Sequence, residues 1–168
     1  MRTSYHAAHV YMILGVISGL YYRELTKITG FDGDTQLSVV HTHVLALGML
    51  VFLVVLALDK LFGLSGTRRF TAFFWTYNAG LAVTVLTMAY RGTLTVLGHA
   101  VPEPVPLVAG AGHIALTAGL VQFFVLLAKR VGAGTSSGPA PENDRGAVPD
   151  PSETAPRPPT FTSRDDRI

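Results

Sequence analysis

The chain has 168 residues, of which 49% are hydrophobic and 14% are charged, a balance that moves it away from the ordinary soluble class. It has no cysteine, so disulfides, thiolate metal sites, iron–sulfur clusters and covalently attached haem are excluded. The formal net charge is only +2, which on so apolar a chain indicates membrane orientation signals, and nucleic acid is set aside as a partner.

Four apolar segments precede residue 131, and each is near or above the ~20 residues that cross ~30 Å of hydrocarbon. The first ends in aromatic and charged residues where a signal peptidase needs small ones, so we interpret it as a retained helix. The predicted fold is an all-α, integral membrane four-helix bundle in residues 1–131. Its spans are predicted over about residues 5–22, 37–58, 70–98 and 107–127.

The amino-acid composition between and after these segments predicts a loop and a C-terminal tail. Pro102, Pro104 and Pro106 predict the third loop, because proline cannot continue a helix. Beyond Val131 the chain turns to Gly, Ser, Pro, Ala and mixed charges, which cannot bury enough apolar area to offset the entropy of ordering. Residues 132–168 are therefore predicted to form a disordered cytoplasmic tail.

Basic residues in the short loops predict the orientation. Only Arg23 and Lys27 fall in the loops on one side of the membrane. The other side has Arg2, Lys60, Arg68, Arg69, Lys129 and Arg130. Because the more basic side faces the cytoplasm, we expect a multi-pass protein with both termini cytoplasmic.

Histidines gather near the outward ends of the second and fourth spans. At ~1.5 Å per residue, His41 and His43 lie roughly 6 to 9 Å inside the second, and His113 lies about 9 Å inside the fourth. The two spans run in the same direction, so an imidazole from each could coordinate one metal. His41 and His43 are about 200° apart on a helix and cannot easily share one ion, and we rank His41 as the inward residue.

This arrangement predicts a non-covalent haem b, with His41, His43 and His113 as candidate ligands. Such a haem needs two axial nitrogens on opposite sides of a flat ring, space between helices and cations for its propionates. Arg91 and Arg23 are the candidate cations, and Arg91 belongs to a stripe of small and polar residues expected to face inward. The stripe is Tyr77, Gly80, Thr84, Thr87, Arg91, Thr95 and Gly98, and the space is assigned to Gly48, Gly110 and Gly112.

Two other functional classes stay open. A copper or zinc binding or transport protein would use imidazole nitrogen, although Asp59 and Glu103 lie at span ends and not inside the membrane. Its ligands would be His41, His43, His99 and His113. A structural or regulatory subunit would use the same histidines and glycines only for helix packing.

For some of the ionisable residues the sequence also allows a purely structural role. His6 and His9 are assigned a structural or interfacial role, because they lie near the cytoplasmic end of the first span. Arg91 could pair with Glu24 in place of a propionate. None of these features establishes a catalytic activity.

The hydrophobic part of the chain resembles a domain-of-unknown-function family of small bacterial four-helix membrane proteins. The resemblance covers residues 14–24 and 35–48, Tyr77-Asn78, Arg91-Gly92 and His113. It implies the fold and a place in the bacterial cytoplasmic (inner) membrane, without an activity. A homodimer or a larger membrane complex stays open as the form in which the protein acts.

A second resemblance is local. The segment His41-Thr42-His43-Val44-Leu45 is similar to the His-x-His segment of haem–copper oxidase catalytic subunits. It implies that His41 would bind a high-spin haem and His43 a low-spin one, with His113 as an opposing ligand. The copper-binding histidines of the oxidases are absent, so we expect electron transfer or the sensing or handling of nitric oxide or oxygen, and not proton-pumping oxygen reduction.

Overall fold

A computed structural model of the chain describes residues 2–135, with side chains to residue 132. These residues form four helices and no strand, which confirms the all-α four-helix prediction. The predicted tail lies outside the described residues from residue 136 onward, while residues 132–135 continue the last helix. The helices are α1 (Arg2–Thr29), α2 (Leu37–Phe62), α3 (Arg68–Val96) and α4 (Pro104–Thr135).

Local sequence explains where α2 and α3 end and begin. Gly63 follows α2 with a φ of 60°, and its N–H donates to the Asp59 carbonyl at 2.9 Å. Glycine adopts this left-handed conformation without the steric penalty of a Cβ. The Thr67 hydroxyl then accepts from the Phe70 N–H at 3.1 Å and caps the start of α3.

The prediction that Pro104 and Pro106 lie in a loop was wrong, since α4 begins at Pro104. Proline is tolerated in the first turn of a helix, where the backbone N–H has no partner inside the helix. The loop is therefore shorter than expected and ends at Glu103.

Helix α2 changes its hydrogen-bond pattern directly after the His-x-His segment. It is α-helical over Leu37–His43, π-helical over Val44–Leu50, and α-helical again over Val51–Phe62. The Tyr77 hydroxyl of α3 donates to the Leu47 carbonyl inside the π-helical stretch at 2.9 Å. π-Helical stretches are rare in proteins, and those that occur often lie at functional sites.

Neighbouring helices run antiparallel, and glycines let them approach closely. On α2, His41 faces Gly19 of α1, where an added Cβ would lie 3.6 Å from the His41 Cβ. Between α3 and α4, a Cβ on Gly80 would lie 2.5 Å from the Leu116 nitrogen. One end of the bundle, where α1 and α3 begin, is hereafter the basic end, and the opposite end is the histidine end.

The core is aromatic towards the basic end and aliphatic towards the histidine end. Phe52 is fully buried, and its ring contacts Tyr11 at a centroid distance of 5.9 Å and Tyr77 at 5.8 Å. Phe73 contacts Phe123 of α4 at 4.9 Å. Around the histidine end the buried residues are Leu37, Val40, Val44, Met88 and Val96. This packing holds α2 and α3 at the centre of the bundle.

Three helices, α2, α3 and α4, are long and apolar enough to cross a membrane. Many large apolar side chains on the helix surfaces are exposed, including Ile17, Leu86, Ile114 and Phe124. So much exposed apolar surface is unfavourable in water, whereas the hydrocarbon of a bilayer would solvate it. The prediction of a membrane bundle is therefore supported for three helices, and a span through α1 stays a prediction.

Candidate functional site

His113 lies on the outer surface of α4 and is exposed. Its Nδ1 is 2.8 Å from the Ala109 carbonyl, one turn earlier in the same helix. If Nδ1 carries the proton, Nε2 keeps its lone pair for a metal, as is usual for ligating histidines. The side chain borders a surface depression of about 630 Å³, together with residues of the same helix. The other lining residues are Ile114, Thr117, Ala118, Val121 and Gln122.

The two histidines of α2 differ in their surroundings. His43 is half-buried, and its Nδ1 is 2.9 Å from the Val39 carbonyl, the same arrangement as in His113. His41 is also half-buried, and its Nδ1 is buried without a hydrogen-bond partner among the described residues. Its Nε2 lies 3.3 Å from the Thr42 hydroxyl. His41 therefore faces α1, and its Nδ1 is a buried polar atom that a ligand would satisfy.

Contacts between helices indicate that His43 and His113 share a level along the bundle. Leu37 packs against Gly92, the Leu47 carbonyl meets Tyr77, and Gly112 packs against Thr84. Counting residues along the antiparallel helices from these contacts places both His43 and His113 level with the turn of α3 around Thr84. His43 and His113 therefore lie at a similar level along the bundle.

A common level does not bring these histidines together within one chain. The first turns of α2, which carry His41 and His43, contact α1 and α3 and make no close backbone contact with α4. His113 points away from the bundle. The structure therefore leaves His113 apart from the other two candidate ligands.

The two candidate cations have different environments. Arg91 is half-buried and about one turn closer to the histidine end than His41, since its neighbour Gly92 packs against Leu37. Among the described residues it makes no ion pair. Arg23 is highly exposed and lies 3.6 Å from Glu24, so Glu24 is beside Arg23 and not beside Arg91.

Most of the predicted inward stripe on α3 is buried, namely Tyr77, Gly80, Thr84 and Thr87. Its last two members, Thr95 and Gly98, are exposed. The stripe packs against α4 and leaves little space there. A Cβ on Gly112 would lie 2.7 Å from the Thr84 hydroxyl, and one on Gly119 would lie 2.9 Å from the Tyr77 Cα.

The expectation that glycines provide space for a cofactor was wrong for Gly48 and Gly112. The Tyr11 ring fills the position beside Gly48, and Thr84 fills the position beside Gly112. Gly110 alone of the three has nothing within 4 Å of where a Cβ would stand. Gly48 and Gly112 serve close helix packing, which is the usual role of glycine in membrane bundles.

An apolar groove of about 800 Å³ lies between α1 and α3, with Val40 and Val44 of α2 at its base. A hydrogen bond of 2.6 Å from the Tyr11 hydroxyl to the Asn78 side-chain oxygen lies along it. Arg2 and His6 line its basic end. No residue pattern indicated this groove, because it arises from how two non-adjacent helices are spaced.

A multidentate metal site is not formed by the described residues. Within residues 2–135 no three His, Asp or Glu side chains gather closely enough to hold a metal ion. A zinc or copper ion held by protein alone usually needs three or four ligands.

A family model matches residues 1–130, almost the whole described bundle. The chain belongs to the family described as Protein of unknown function (DUF2871). The predicted membership of a domain-of-unknown-function family is thereby confirmed. No curated protein and no solved structure matches the chain.

The family match covers all of the candidate histidines and both candidate arginines. Its description assigns no activity, so the chemistry of this family member depends on the geometry of those side chains. The π-helical stretch after His43 is the feature of that geometry that sequence reasoning missed. The only residue pattern near it is Gly48, which permits the contact with Tyr11 but does not by itself predict a change of helix type.

Proposed function

We propose that this protein is a membrane-embedded b-type haem protein that senses or handles a small gas, or transfers electrons. The observation that carries the proposal is the orientation of His113. Its Nδ1 is fixed by the Ala109 carbonyl, and its Nε2 is left available beside an open depression. A haem would be held by the His113 imidazole together with contacts to its ring, whereas a copper or zinc ion needs more ligands than the described residues bring together.

The position of His113 gives a second reason to expect a ligand there. An ionisable side chain within a membrane span usually faces a bundle interior, a cavity or a partner, because exposure to lipid is costly. His113 is exposed, and Gln122 in the same depression has a buried side-chain oxygen without a partner among the described residues. These polar groups favour a bound molecule or a second protein surface over lipid.

The separation of the histidines favours gas handling over electron transfer in a single chain. A haem iron supplies redox chemistry and the capacity to bind small gases. His113 lies apart from His41 and His43, so within one chain each location would hold a haem through its own histidine. A homodimer would bring a further imidazole from the other copy, which would favour electron transfer.

His43 and His41 are the alternative ligands. His43 has the same fixed Nδ1 as His113, and His41 has a buried Nδ1 without a partner among the described residues. Both lie next to the π-helical stretch. Arg91, half-buried about one turn away and without an ion pair in the described part of the chain, is suited to bind a propionate by a two-pronged hydrogen bond.

The ligand assignment is tested by comparing single histidine variants. We expect His113→Ala to lose most of the bound haem, measured as the pyridine haemochrome per protein after purification with haem supplied. The matched control is His9→Ala, an exposed histidine near the basic end, which should keep full occupancy. Full occupancy in His113→Ala with loss in His43→Ala or His41→Ala would move the site to α2. Loss in none of the three would contradict the proposal.

We also infer that the protein resides in the bacterial inner membrane with both termini in the cytoplasm. The support is the excess of basic residues at the basic end, where α1 and α3 begin. Exposed apolar residues on α1, such as Val16 and Ile17, support a fourth span in that helix.

A second candidate function is the binding of an elongated apolar molecule in the groove between α1 and α3. The favouring observation is the size and apolar lining of that groove. Ala82 lies within it, whereas Ala79 on the same helix is exposed outside it. We expect Ala82→Trp to reduce labelling of α1 by a diazirine-bearing fatty acid, with Ala79→Trp as the control. Equal labelling of both variants would contradict groove binding.

A further inference from the structure

A pocket of about 360 Å³ lies at the basic end, between the start of α3 and the end of α4. Each helix contributes two adjacent basic side chains. Arg68 and Arg69 come from the first turn of α3, and Lys129 and Arg130 come from α4. The remaining lining residues are Thr67 and Leu126.

The four cations bring an excess of positive charge to one place in the described part of the chain. Within residues 2–135 none of them makes an ion pair, although the described part of the chain contains such a pair at Arg23 and Glu24. The N-terminus of α3 adds the positive end of a helix dipole to the same place. These four exposed side chains concentrate positive charge, which attracts an anion to the pocket.

The position of the pocket indicates which class of anion it would bind. It lies at the ends of two helices that are long and apolar enough to cross a membrane, and hence at the level of the lipid headgroups. One turn before Lys129 on α4, Val125 is exposed, and Leu126 forms part of the pocket wall. A ligand with an anionic head and an apolar tail would match both surfaces.

We propose that this pocket binds the phosphodiester headgroup of an anionic phospholipid. Arginine side chains bind phosphate oxygens by paired hydrogen bonds, and basic pockets between membrane helices recognise such headgroups. The acyl chains would lie along the exposed apolar surface of α4. The headgroup pocket shares no lining residue with the depression beside His113.

The test uses the full-length protein in a neutral detergent, with native mass spectrometry to count bound lipid. We expect phosphatidylglycerol to be retained at least about tenfold better than phosphatidylcholine by the wild type. The double variant Arg69→Gln/Arg130→Gln should lose that preference about tenfold. The control Lys27→Gln/Lys60→Gln removes two positive charges outside the pocket and should keep it. Equal retention of both lipids by the wild type would overturn the proposal.

Two further arms identify the source of the anion and guard against misfolding. If inorganic phosphate at the same concentration displaces the lipid, the pocket is a site for free phosphate and the lipid proposal is wrong. Arg69→Lys/Arg130→Lys keeps the charge and should keep most of the preference if the first double variant fails to fold. An equal loss in the charge-matched control would show that total charge, and not this pocket, selects the lipid.

Discussion

The close packing of α3 against α4 makes Gly80→Ala a sensitive test of the bundle. The added Cβ would lie 2.5 Å from the Leu116 nitrogen and 2.9 Å from the Ala115 carbonyl carbon. Both are backbone atoms, so relief requires the two helices to separate. Overpacking of this kind costs about 1 to 3 kcal/mol of the free energy of unfolding.

The matched control is Gly110→Ala on α4, where a Cβ has nothing within 4 Å. Both changes give the same gain in intrinsic helix propensity, so their difference isolates the overpacking cost. At about 4 °C per kcal/mol, Gly80→Ala should melt roughly 4 to 12 °C below Gly110→Ala in the same detergent. Circular dichroism during heating measures this difference. Equal melting temperatures would refute the inferred contact between α3 and α4.

Three further predictions address the site and the orientation. Arg91→Leu should weaken haem retention or shift the midpoint potential more than Arg23→Leu, because water can replace the exposed Arg23; equal occupancy and potential in Arg91→Leu and wild type would remove Arg91 from the site. Tyr77→Phe should lower the free energy of unfolding by about 1 kcal/mol in denaturant titrations, because a carbonyl of the π-helical stretch loses its donor; an unchanged midpoint would count against that hydrogen bond. In the cysteine-free chain, an impermeant thiol reagent added to whole cells should label Asp32→Cys and not Lys60→Cys, and the reverse pattern would invert the orientation.

Much of the fold could be predicted because apolar length and helix-ending residues are local properties of the sequence. The number of helices followed from the four apolar segments. The start of α4 was misjudged because proline breaks a helix interior but is tolerated in a first turn. The π-helical stretch could not be predicted, because it depends on a contact between Leu47 and the distant Tyr77.

The candidate site could be predicted only in part. Helical rise and direction indicated the level that His43 and His113 share, because depth along a span follows from residue number. They did not indicate the direction of each side chain, which depends on how α3 and α4 pack. The same packing explains why Gly112 contacts Thr84 and does not provide space for a cofactor.

The most direct test of the central claim is the dithionite-reduced minus oxidised spectrum of the full-length protein, purified from cells with ample haem. We predict a Soret band and the α and β bands of a b-type haem, with a stoichiometry close to one haem per chain or one per two chains. A folded protein that shows no Soret band under these conditions would contradict the proposed function.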